Sequence, residues 1–259
     1  QRQMCIRDRV ISRDYPLFKP FFKKIEKIGY DLVDLVLLNG YDSKVVFNTC
    51  WSETKYISKA QILPNGVDWK KFAMSPRKPV RGRIISISTL SDIRGTNHLI
   101  KSAYILKNEY KDDFHIVFAG KGPIHKYENL ARNLNVIDRV KFIGELRDTR
   151  DLLATAEIGT SLVSGYGVSH SLLEQLASGL PVVCWDTLVY KQIIKNGENG
   201  LLVTYNNCEE LAEALHKLLN NHRLRISLGE NAKETAKKYD WEIFMKRFYS
   251  YIEQLWSQA

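Results

Sequence analysis

From Arg83 onward the chain alternates between short, continuous apolar runs and longer amphipathic ones, and few folds can absorb that pattern. RIISIS, FHIVFAG, VKFIG, IGTSLV, PVVCW and GLLVT are rich in β-branched residues and carry no polar face. Between them, helical spacing recurs: Leu99, Ile100, Ala103 and Leu106 form one stripe, and residues 124–134, 148–155 and 169–178 form further segments. Residues 208–220 and 222–238 add two helices rich in Leu, Ala, Glu and Lys. A strand without a polar face is buried on both sides, and a helix between two such strands carries the chain back to start a parallel neighbour. The pattern therefore predicts an α/β domain, a Rossmann-like parallel sheet covered on both faces.

The flanks read differently. DLVDLVLL (31–38) is a helix end running into a buried strand, and KAQILPNGVDWKKF (59–72) is a strand, a turn and a short exit. A polar, basic stretch with Pro76 and Pro79 follows and is read as a linker. Residues 16–30 place Phe21, Phe22, Ile25 and Ile28 on one helical face beside Lys23, Lys24 and Lys27. That face suits packing on the helix's own domain, or contact with an anionic membrane surface. At the other end Trp241, Phe244, Met245, Phe248, Ile252 and Leu255 form a core-type stripe on a helix ending near Trp256, with Asp240 as its N-cap. The opening QRQMCIRDR resembles a translated sequencing adapter and is set aside, with the expectation that the natural N-terminus is missing. The chain thus divides into a leader (1–9), the tail of a first domain with its linker (10–78), the sheet domain (79–239) and a final helix (240–259).

Composition closes several routes. Hydrophobic residues at 44% and charged residues at 26% exclude a disordered chain. No apolar run approaches the roughly 18 residues of a membrane span. Cys5, Cys50, Cys184 and Cys208 have no C-x-x-C spacing, which fits a reducing cytoplasm better than a zinc ribbon or a disulfide scaffold. A net charge of +9 favours anionic partners. No nucleic-acid motif accompanies it, so phosphorylated small molecules or a membrane face remain. D-x-D, H-E-x-x-H and G-x-S-x-G are absent from the sequence, and no metal site is expected.

In open parallel sheets, ligands bind at the carboxyl ends of the strands. Three loops stand there: TLSDIRGT (89–96), GKGP (120–123) and SGYGVSHS (164–171). Free N–H groups around Ser169 to Ser171 can hold a phosphate, and Arg94 can add a positive charge on a diphosphate. Glu174, one turn into the helix, can accept two hydrogen bonds from a ribose diol. The plain alternatives are a turn made by Gly165 and Gly167, a cap at Ser169, a surface charge at Arg94 and a solvated carboxylate at Glu174. Gly120 and Gly122 fit part of a dinucleotide fingerprint, but His125 replaces its third glycine.

LPNGVD, STL followed by RG, AGKGP, VKFIG, AEI, YGVSHSLLEQLASGLPVV and NGENGLLV follow one another in this order over residues 59–205. The series resembles that of the group 1 (family 4) glycosyltransferases, which pair two Rossmann-like domains in the GT-B fold. The resemblance implies that residues 79–239 are the donor-binding half and residues 10–78 the remnant of the acceptor-side half, to which the last helix returns. It implies a donor site made of Glu174 at the ribose, the backbone of Gly167, Val168, Ser169, His170 and Ser171 at the diphosphate, and Arg94, Thr89, Gly95, Gly120 and Gly122 around it. Tyr166 occupies the position of the family's first Glu, near the donor sugar, and Thr89 that of a diphosphate-binding Arg. Loss of that guanidinium weakens a diphosphate site by about 1.5–3 kcal/mol.

The resemblance further implies retaining transfer from a UDP- or GDP-type nucleotide-sugar, with no cofactor, to a saccharide or lipid-linked acceptor. Polysaccharide or glycolipid assembly in the cytoplasm, peripheral at the inner face of the membrane, is the expected setting. Two other readings stay open: a degenerate nucleotide-sugar-binding protein, on Thr89 and Tyr166, and a Rossmann oxidoreductase, on GKGP.

Overall fold

A computed structural model describes residues 19–165 and 167–257. The leader at residues 1–9 and Tyr166 lie outside the described residues, as do the side chains of Phe21, Phe22 and Lys23.

The N-terminal part comprises α1 (Lys19–Leu32), β1 (Val36–Leu38), α2 (Tyr41–Cys50), α3 (Thr54–Ile57), β2 (Ala60–Ile62) and α4 (Trp69–Ala73). The second part follows as β3 (Arg83–Ile87), α5 (Thr96–Ile105), β4 (His115–Ala119), α6 (Ile124–Asn133) and β5 (Val140–Phe142). It continues with α7 (Arg150–Thr155), β6 (Ile158–Ser161), α8 (His170–Ala177), β7 (Val182–Trp185), α9 (Leu188–Lys191) and β8 (Leu201–Val203). Helices α10 (Cys208–Asn220), α11 (His222–Lys237) and α12 (Trp241–Trp256) close the chain.

Strands β3 to β8 form one parallel sheet in the order β5-β4-β3-β6-β7-β8. The chain winds outward from β3 in one direction and then from β6 in the other. The crevice between the carboxyl ends of β3 and β6 is therefore the topological switch point, where such sheets bind ligands. Ile84, Ile85, Ile116, Phe118, Ile158, Val182 and Val183 are fully or almost fully buried within the sheet. Leu99, Ile100 and Ala103 of α5, Leu172, Leu173 and Leu176 of α8, and Leu211, Leu215 and Leu218 of α10 pack into the same continuous core. The apolar runs are thus buried on both faces because helices cover both faces.

The N-terminal part is smaller. β1 and β2 pair in parallel through α2 as crossover, in register Val36 with Ala60. Its core is largely aromatic: the Tyr30 ring lies 5.2 Å from Phe47 and 5.0 Å from Trp51, edge to face, and Trp51 lies 5.5 Å from Tyr56. Tyr30 is the inward anchor of α1. Ile25 and Ile28, expected on a packed face, are 50% and 52% exposed.

Residues 74–82 do not hang free between the two parts. The Lys78 and Val80 N–H groups donate to Ala154 and Thr155 carbonyls, and the Arg77 guanidinium donates to the Gly179 and Ala156 carbonyls. Helix α12 starts at the expected cap, where Asp240 accepts the Glu242 N–H at 2.8 Å. It lies along the chain's exit from β2: the Trp241 N–H donates to the Val67 carbonyl, and Tyr251 Oη donates to the Ile62 carbonyl. No residue of α12 is buried. Its apolar stripe is half covered rather than a core, and Trp256 at its end is 78% exposed.

Candidate functional site

The three loops at the switch point are stitched edge to edge. The Leu90 N–H donates to the Lys121 carbonyl at 2.7 Å, and the Gly120 N–H to the Gly144 carbonyl at 2.7 Å. A side chain at Gly122 would place its Cβ 2.6 Å from the Leu90 carbonyl oxygen, and one at Gly120 would strike the Ser88 carbonyl. Both glycines also have positive φ, 149° and 147°. Close approach of two loops therefore accounts for G-x-G here without a dinucleotide.

Arg94 ends a 3-10 turn, Asp92–Arg94, whose next residue, Gly95, has φ 73°. Gly95 abuts Leu162, so the turn sits directly on the loop that follows β6. Ser164 ties the two together, its N–H and Oγ donating to the Ile93 carbonyl at 3.0 and 3.1 Å. Asp92 anchors the turn by accepting from Lys126 and from Tyr127 Oη, and the ammonium of Lys126 holds the Asp92 carboxyl below its usual range. Arg94 itself is half-buried, and its guanidinium has no hydrogen-bond partner among the described residues. Thr89 is exposed at the mouth of the same loop and brings no positive charge.

Helix α8 starts on the far side of the crevice. Ser169 has extended backbone and its Oγ accepts the Leu172 N–H at 3.2 Å, a standard N-cap. The N–H groups of His170 and Ser171 have no acceptor among the described residues and carry the positive end of the helix dipole. One turn on, Oε2 of Glu174 accepts from Thr149 Oγ1 at 2.8 Å. Burial pushes the Glu174 carboxyl above its usual value; the Thr149 hydrogen bond opposes that shift, and the neighbouring Asp148 adds to it. Glu174 thus lies at the wall between α8 and the loop after β5. A carboxylate there costs free energy that a donor of two hydrogen bonds can offset.

His170 lies beside this start. Asn65 Nδ2 donates to the Val168 carbonyl at 2.7 Å and reaches His170 Nδ1 at 3.3 Å. The first bond fixes which end of the Asn65 amide is nitrogen. Nδ1 of His170 is then an acceptor and the ring proton sits on Nε2. Burial lowers the His170 pKa, in keeping with a neutral ring.

Sequence reasoning missed the support for this loop. Asn39, Asp42 and Asn65, all N-terminal to the linker, bind Gly167 and Val168. The sequence carries a signal only at Asn65, in P-N-G, which marks a turn and lies within the LPNGVD motif. The sequence marks Thr149 only as part of a short helix, and its pairing with Glu174 joins residues 25 apart.

The opposite end of the sheet holds a cavity of about 240 Å³ lined by Arg77, Glu157 and Arg225, among others. There Arg225 pairs with Glu157 at 2.9 Å and also donates to the Leu218 and Leu219 carbonyls. Among the described residues no helix is long and apolar enough to cross a membrane.

The chain is similar to a set of known proteins. A phosphatidyl-myo-inositol mannosyltransferase of Mycobacterium leprae is 26% identical over 200 residues, which cover 74% of this chain and 53% of that protein. The lipopolysaccharide core biosynthesis glycosyltransferase LpsE of Rhizobium meliloti is 34% identical over 112 residues, 43% of this chain and 32% of its own. The chain therefore spans about half or less of the length of these relatives. In structure it is similar to Anabaena HepE, solved in complex with UDP and glucose. That match has a TM-score of 0.77 at 16% identity and covers 88% of this chain and 65% of that one. The likeness shows the fold, the Rossmann-like half of a GT-B enzyme. The sequence model described as "Glycosyl transferases group 1" matches residues 67–235, a span that contains all six strands of the large sheet. The motif order along the chain and the doubly wound sheet beneath it agree with that match, and the chain belongs to the group 1 glycosyl transferases.

Proposed function

We propose that this chain is the donor-binding part of a retaining glycosyltransferase that moves a sugar from a UDP- or GDP-type nucleotide-sugar to a saccharide or lipid-linked acceptor. Polysaccharide or glycolipid synthesis at the cell envelope is the setting that the relatives suggest. The observation that carries the reading is the topology: the switch point has the Arg94 turn on one side, tied through Ser164 to the loop that leads into α8, and on the other the start of α8, with N–H groups at His170 and Ser171 that have no acceptor among the described residues and the Glu174 carboxylate one turn on.

Each group has a task that its chemistry suits. As the bond from the sugar to the diphosphate breaks, negative charge grows on the leaving phosphate. Arg94 and the start of α8 stabilise that charge in place, with little reorganisation because both are already held by loop contacts. Glu174 takes the ribose hydroxyls and so sets the distance between nucleoside and phosphates. With Thr89 in place of a guanidinium, Arg94 bears more of the electrostatic work. No cofactor enters this scheme.

Calorimetric titration of the chain with UDP, GDP, ADP and NAD tests the reading. One nucleoside diphosphate binding in preference to NAD, with binding lost in Glu174→Ala, supports it. A folded chain that binds NAD and no nucleoside diphosphate would sink it.

A further inference from the structure

The loop that enters α8 is held from outside the large sheet. Val168 is clamped on both sides of its peptide: its N–H donates to the Asn39 carbonyl at 2.9 Å, and its carbonyl accepts from Asn39 Nδ2 at 3.0 Å and Asn65 Nδ2 at 2.7 Å. The Gly167 N–H donates to Asp42 Oδ2 at 2.9 Å. Asn39 Oδ1 in turn accepts the Asn65 N–H at 2.9 Å, so the two asparagines brace each other. Asp42 is only 3% exposed, and Gln192 Nε2 donates to its other oxygen at 3.2 Å.

The backbone leaves no slack. Gly167 has φ 81°, and a Cβ there would lie 2.8 Å from the Asn39 carbonyl oxygen. The N-terminal part and the loop are therefore in van der Waals contact as well as hydrogen-bonded. Two residues further on, the α8 N–H groups begin. A displacement of residues 167–168 moves those donors with it.

From this we infer that Asn39, Asp42 and Asn65 are positioning residues for the donor diphosphate. They hold the 167–168 peptide so that the start of α8 points at the phosphates. The segment before the linker thus acts on the donor side as well as on whatever lies across the crevice. The inference rests on the donor-site reading above. None of the three side chains needs to touch the donor, because each acts through the Gly167–Val168 backbone. A set of interlocked hydrogen bonds is the usual way to hold reacting or binding groups within a fraction of an ångström.

The test combines binding with local exchange, using the 259-residue chain. Nucleoside diphosphate affinity is measured for wild type, Asn65→Ala, Asp42→Ala and the more conservative Asn65→Asp, which removes the donating amide and keeps the shape. Hydrogen exchange is followed at the Gly167 and Val168 amides and, as a control, in the large sheet. The expected result is faster exchange at 167–172, unchanged protection in the sheet, and affinity about tenfold lower or worse. Asn65→Asp serves if an alanine variant fails to fold. Variants that exchange faster at 167–172 and bind as wild type does overturn the positioning role alone. A wild-type chain that binds no nucleoside diphosphate removes the donor-site reading and this inference with it.

Discussion

The two parts of the molecule are built on opposite terms. The large sheet has six strands, with every central strand buried on both faces by helices from the same unit. Among the described residues the N-terminal part has two strands of three residues, and its core is a small cluster of Tyr30, Leu38, Phe47, Trp51, Tyr56 and Ala60. A two-stranded parallel pair is too small to stand alone. It is held by aromatic edge-to-face contacts, by α12 lying along the exit from β2, and by the clamp on Gly167 and Val168. The larger unit brings its own stability. The smaller one borrows it, and returns precise placement of the loop at the crevice.

The largest contrast is expected from matched core truncations. Phe118→Ala removes a fully buried ring stacked 4.9 Å from Phe142 and is expected to lower global stability by about 3–5 kcal/mol. Phe47→Ala removes an equally buried ring from the small cluster. Its damage should stay local: amides of residues 36–62 exchange faster while those of the large sheet keep their protection. Denaturant unfolding followed by residue-resolved exchange separates the two, and equal loss of sheet protection in both variants would mean one cooperative unit.

A smaller effect is expected at the junction of the loops. Gly120→Ala forces a side chain onto the Ser88 carbonyl at φ 149°, and should cost about 1–3 kcal/mol while displacing the 88–90 loop. Thermal unfolding measures the first part and nucleoside diphosphate affinity the second. Retained stability in this variant would show that the loops are not in contact.

Glu174→Gln should move stability and binding in opposite directions. The raised pKa means that the folded chain holds the carboxyl proton more tightly than the unfolded chain does. Stability therefore falls as pH rises from the ordinary value of 4.5 through the folded value. The variant is expected to have a higher Tm than wild type at pH 7, with the gain vanishing below pH 4.5, and to lose nucleoside binding. In wild type, binding should weaken on acidification at a pH above that of an ordinary glutamate. A Tm gap that does not change with pH would contradict this.

The smallest effect belongs to the exposed network on α1 and α3. Asp31 accepts from Lys55 and from Tyr56 Oη, which hold its pKa down from 3.8 to about 2. A depressed carboxylate pKa gives stability that is complete above 3.8 and lost as pH falls through about 2. Asp31→Asn should therefore speed exchange at residues 36–62 at pH 5 and make no difference near pH 1, with the large sheet unaffected throughout.

The same contrast explains what could be read in advance. Strands β3 to β8 were visible because burial on both faces leaves unbroken apolar runs, and the helices between them keep their period. The α12 cap at Asp240 was visible because a short acceptor before an amphipathic run has few other uses. For the α12 stripe, period tells which residues share a face, and coverage depends on what lies opposite. The same holds for Ile25 and Ile28: their spacing puts them on one face, and in the structure Tyr30, one residue off the stripe, is the buried contact of α1.

At the crevice, the motif order places Arg94 in one loop and Ser169 and Glu174 at and just after the start of α8, and Ser164 ties the Arg94 turn to the loop that leads into α8. The partners that hold them, Thr149 for Glu174 and Asn39, Asp42 and Asn65 for Gly167 and Val168, lie 25 to 129 residues away in sequence. Polar contacts of that range leave no period and no spacing for a single sequence to show.

One measurement bears on all of this: the hydrogen-exchange footprint of the chain with saturating UDP and, separately, GDP. If the switch-point crevice is the donor site, one of the two protects amides at 89–95 and 169–172, and the footprint disappears in Glu174→Ala. Protection instead around Arg77, Glu157 and Arg225 at the other end of the sheet, or none from either nucleotide in a folded chain, would contradict it.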